Sequence, residues 1–93
     1  MAKFEVEYEK KEVVLSRLYP FGEKREVGGK EVTVLTLSEL NGRDDEIIAK
    51  QVEKEKKLAG YVQIAVSAGI TYEEALMLAN KDSAKLLEEL QGF

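Results

Sequence analysis

The apolar period of this chain changes once. Ahead of residue 38 lie an alternating stretch at 3–9 and β-prone runs at Val13–Leu18 and Lys30–Leu37, and beyond residue 41 apolar residues recur at helical spacing. A period of two belongs to a strand with one buried face, and a period of 3.6 to a helix. Strands first and helices afterwards make an α+β domain. With 93 residues the chain holds one domain, 1–93, with a β-rich part at 1–38 and a helical part at 41–93. The expected architecture is an N-terminal antiparallel β-hairpin or three-stranded sheet packed on a C-terminal three-helix bundle.

The strand signals are local. Phe4, Val6 and Tyr8 alternate with Lys3, Glu5, Glu7 and Glu9, which predicts a half-buried strand. Val13 to Leu18 predicts a second, ending near Pro20, whose missing N–H terminates a ladder. Gly28-Gly29 lies between β-prone runs, and two residues free to take positive φ favour a hairpin turn there. A phosphate-cradling loop would instead lead into a helix. Lys30 to Leu37 follows as a strand, with Val32, Val34 and Thr36 opposite Thr33, Leu35 and Leu37.

Asn41 opens the helical part as an N-cap, and Asp44, Asp45 and Glu46 sit where the helix dipole favours negative charge. One long helix is expected from there to about Ser67, stopped by a left-handed Gly69. Its EKEKK stretch at 53–57 reads as a solvated face, and Leu58, Tyr61, Val62, Ile64, Ala65 and Val66 as a buried half. Gly60 interrupts that half and allows a bend or a close crossing. Thr71 and Glu74 have capping-box spacing for a short helix to about Ala79, wedged between neighbours. A last helix runs from Asn80–Asp82 to Gly92, with Leu86, Leu90 and Phe93 on one face.

Composition narrows the function. The chain has no cysteine and no histidine, which removes disulfides, thiolate zinc sites and the commonest general base. Ser16, Ser38, Ser67 and Ser83 therefore have no imidazole to activate them, and no catalytic, metal or cofactor residues are expected. Asp44, Asp45 and Glu46 are consecutive, so on a helix they point about 100° apart and do not converge on an ion. No apolar run approaches the roughly 20 residues of a membrane span. MAKFEVEYEKKE has no signal-peptide pattern, so the cytoplasm is the expected location.

Charge falls unevenly. Residues 1–37 carry seven positive and seven negative groups, residues 38–58 five and six, and residues 59–93 two and five. The acidic, apolar last third suits contact with protein rather than phosphate. The segment 58–79 does have the outline of a helix-turn-helix, and a small DNA-binding regulator is the alternative reading. Its would-be recognition helix opens with Tyr72, Glu73 and Glu74, and no Arg or Lys lies between Lys57 and Lys81. That is poor chemistry for DNA.

Three stretches carry a family likeness: VGGKEVTVLTLSEL at 27–40, YVQIAVSAGITYEEALML at 61–78 and DSAKLLEELQGF at 82–93. In order and spacing the chain from Val13 to Phe93 resembles the small tail assembly chaperones of long-tailed bacteriophages and prophages, including the Mu-like and P2-like tail proteins. The resemblance implies a non-enzymatic role in the bacterial cytoplasm, outside the mature virion. It implies binding that keeps the tape measure protein soluble and helps recruit tail tube subunits. Self-association is a further contact open to such a protein; nucleic acid and membrane are not expected partners. Leu86, Leu90 and Phe93 are the candidate partner-binding residues. The resemblance also implies a longer, frameshifted form sharing most of this domain.

Overall fold

The computed structural model describes residues 6–21 and 32–93. The chain is α+β. Among the described residues two strands, β1 (Lys10–Tyr19) and β2 (Val32–Ser38), precede four helices: α1 (Gly42–Lys54), α2 (Ala59–Ala68), α3 (Tyr72–Leu76) and α4 (Asn80–Gln91). The strands pair antiparallel, with Lys11 opposite Leu37, Val13 opposite Leu35 and Val14 opposite Val34. The pleat turns Val13, Leu15, Leu35 and Leu37 onto the helices, where they are buried with Ile64, Ala75, Leu78 and Leu86. Tyr19 and Phe21 close the end of this core, their rings stacked with centroids 5.1 Å apart.

Two strands form the sheet among the described residues, where a third was an open expectation. Residues 3–5 of the expected first strand and the whole Gly28-Gly29 turn lie outside the described residues. Residues 6–9 are not a strand: Val6 is 69% and Tyr8 42% exposed. Pairing continues only one rung past β1, where the Glu39 N–H donates to the Glu9 carbonyl at 2.8 Å. Alternation without an opposing apolar surface does not hold a strand.

The ladder is regular up to Val14–Val34 and then slips. The next pair is Tyr19–Val32, so β1 advances from 14 to 19 while β2 advances from 34 to 32. The extra residues of β1 form a bulge, which turns main-chain groups out of the ladder. The side chains of Asp82 and Lys85 on α4 meet main-chain groups of Ser16 and Val14 there.

The expected long helix is two helices. α1 starts as predicted, with Asn41 and Asp44 in a reciprocal capping box. It ends at Glu55 because Lys56 takes a left-handed conformation, φ 56°. The Lys57 N–H then folds back to the Gln51 carbonyl at 3.3 Å. Helical period and solvated charge run unbroken through EKEKK, so nothing in the spacing marked this break. It leaves Leu58, expected to be buried, 58% exposed at the joint. The expected three-helix bundle is accordingly a set of four helices.

The remaining helix signals match. Gly69 stops α2 at φ 71°. Thr71 accepts the Glu74 N–H at 3.0 Å, and Glu74 accepts the Thr71 N–H at 2.9 Å. α3 is shorter than expected, ending at Leu76, and is wedged on one side only. Ala75 has 0% exposure, whereas Leu76 and Met77 are 46% and 47% exposed. Gly60 serves a close crossing: a Cβ there would stand 3.3 Å from the Leu87 side chain of α4.

Candidate partner-binding surface

α4 is amphipathic, and Leu86 and Leu90 fall one turn apart on its inner side. The structure separates the three residues expected on the partner surface. Leu86 has 0% exposure and belongs to the core. Leu90 and Phe93 are half-buried against the edge of that core. They leave apolar surface at the C-terminal end of the helix. Leu86 therefore holds the helix down and has no surface to share.

Lys11 of β1 organises this end. Its ammonium lies 4.7 Å from the centre of the Phe93 ring. It also donates to the Glu89 carbonyl at 3.3 Å and pairs with the Glu89 carboxylate at 3.6 Å. A cation at a helix C-terminus complements the dipole, and a cation over a ring face is attracted to its quadrupole. Nothing in the spacing of Lys11 linked it to residue 93; the link needs β1 and α4 side by side.

A second constellation lies at the other end of α4. Asp82, 3% exposed, accepts the Ser16 N–H at 2.9 Å and the Ser16 hydroxyl at 2.7 Å. It also accepts the Tyr19 hydroxyl at 2.5 Å. Lys85 donates to the Val14 carbonyl at 3.1 Å. Burial pushes the Asp82 carboxyl up, but hydrogen bonds from Tyr19 and Ser16 outweigh it and hold the group below the usual carboxylate range. Burial, and then the bond to Asp82, raises the Tyr19 phenol above its ordinary value. A groove of about 370 Å³ lined by Val14, Leu15, Ser16, Lys81, Asp82 and Lys85 opens beside them. Among the described residues Asp82 is the only carboxylate lining it, and its oxygens already serve β1.

The helix-turn-helix-like segment ends in the five-residue α3. Glu74 is spent on its capping box, and the exposed first-turn side chain next to it is Glu73. The Tyr72 hydroxyl accepts the Leu58 N–H at 3.0 Å, bracing the α1–α2 joint. Asp44 is likewise engaged, accepting the Asn41 N–H at 3.1 Å. Among the described residues no group of three or more carboxylates could hold a metal ion, and no helix is long and apolar enough to cross a membrane.

The described residues thus form a small α+β domain whose buried Asp82 and Glu74 serve structure and whose apolar side chains reach the surface at one helix end. The family described as phage tail assembly chaperone proteins, E, or 41 or 14, matches residues 21–93, and the chain belongs to that family. No curated protein and no solved structure gives a significant match to the chain.

Proposed function

We propose that this tail assembly chaperone binds the tape measure protein, keeps it soluble and helps bring tail tube subunits to it. The family match over residues 21–93 carries this reading, and it contains the whole helical part. A tape measure protein is a long helical chain with apolar stripes, and an apolar edge with an acidic surround suits such a partner. Leu90 and Phe93 form that edge, within a last third of two positive and five negative groups. Binding takes place in the bacterial cytoplasm before the virion is complete, and it needs no catalytic group.

Co-expression with the tape measure protein of the same phage tests the reading. The expected result is a soluble tape measure protein that co-purifies with the chaperone. Recovery should drop with Leu90→Ala and Phe93→Ala in chains whose unfolding midpoint stays close to that of the parent. A tape measure protein equally soluble alone would overturn the function, and full recovery with both variants would overturn the surface.

A further inference from the structure

The two edges of the sheet are treated differently. In an antiparallel pair, alternate residues turn both N–H and C=O away from the partner strand. Val14 C=O and Ser16 N–H meet Lys85 and Asp82 of α4, so the even-numbered residues of β1 face outward. Their partners in the register, Val34, Thr36 and Ser38, face outward from β2. Ser38 confirms it: its N–H and C=O are both taken by the Ser67 hydroxyl of α2, at 3.0 and 2.7 Å.

Edge strands are kept from pairing by charge, bulges and covering elements. β1 has all three: Lys10, Lys11, Glu12 and Arg17, the bulge, and the side chains of α4. β2 has one, the Ser67 clasp at its last residue. Its sequence, VTVLTLS, contains no charge, proline or glycine. Among the described residues, no hydrogen bond from another element reaches the outward groups of Val34 and Thr36. Val34 is 37% exposed and stands opposite Val14, itself 60% exposed, so the apolar outer face is continuous with the open edge.

We propose that β2 pairs antiparallel with β2 of a second copy, joining two sheets into one. A charge-free edge meets its own copy without like-charge opposition. The two-fold axis of this dimer passes at Leu35, so Val34 of each copy lies opposite Thr36 of the other, both of them outward residues of β2. Each of these two pairs exchanges both main-chain hydrogen bonds, and the Ser67 clasps stay closed.

Sedimentation velocity across a concentration series tests this, with circular dichroism and denaturation midpoints to verify folding. The parent chain should pass from monomer to dimer. The double variant Val34→Lys/Thr36→Lys places lysine opposite lysine twice and should raise the dimer dissociation constant roughly tenfold or more. The double variant Val34→Lys/Thr36→Glu places lysine opposite glutamate twice and should restore the dimer. Both positions are solvent-facing, so both variants should fold. A parent chain monomeric throughout overturns the proposal. So does a dimer equally stable in both variants, which would lie on another surface or in another register.

Discussion

The Tyr19 hydroxyl stands between two groups of α4, donating to Asp82 at 2.5 Å and accepting the Ala79 N–H at 2.9 Å. Ala79 is the N-cap of α4 and has no side chain to cap with. A residue 60 positions earlier supplies the acceptor that the N3 side chain of a capping box, here Asp82, would otherwise provide. β1 and α4 are thus joined through buried polar groups as well as through the core.

Removing that hydroxyl leaves Asp82 short of a donor and Ala79 short of an acceptor. Tyr19→Phe should destabilise the domain by about 1.5–3 kcal/mol, the range for a hydrogen bond to a charged group. Urea denaturation followed by circular dichroism measures it. A loss within error of zero would mean that water replaces the hydroxyl at no cost.

The same pair sets two limits on the pH range of stability. The folded-state pKa of Asp82 is lowered, so its contribution is present above the unfolded value, about 3.9, and is lost as pH falls through the folded value. The folded-state pKa of Tyr19 is raised, so its contribution is present below the unfolded value, about 10, and is lost as pH rises through the folded value. Between these limits the pair contributes a plateau. Asp82→Asn should lower the plateau and flatten the acid limb of a stability–pH curve relative to the parent chain.

Thr71→Ala removes one half of a capping box whose two bonds are both formed. The expected cost is about 1 kcal/mol. Thr71→Ser keeps the oxygen and should recover most of it in the same denaturation assay.

Lys56 holds a left-handed conformation that glycine adopts without strain. Lys56→Gly should therefore stabilise the domain by about 0.5–1 kcal/mol, read as a higher denaturation midpoint. A lower midpoint would show that the α1–α2 joint does not hold this turn in solution.

Local chemistry determined much of the molecule. Asn41, Gly69, Thr71 and Glu74 act on main-chain groups within four residues of themselves, so their effects could be read in the sequence. The α+β class and the strands at Val13–Leu18 and Lys30–Leu37 follow from β-prone composition and side-chain period for the same reason, with β2 described from Val32. The family likeness rested on ordered short stretches and needed no contact map. Tertiary structure decided what depends on distant partners. The break at Lys56 arises where thinly apolar helix gives no packing reason to continue past Glu55. Leu86 and Leu90 look alike one turn apart, yet only the fold buries one and leaves the other at the edge. Lys11 with Phe93, and Ser16 and Tyr19 with Asp82, are joined because β1 lies along α4. Period and propensity describe a residue's own element, whereas a hydrogen bond across more than 60 positions exists only after those elements have packed.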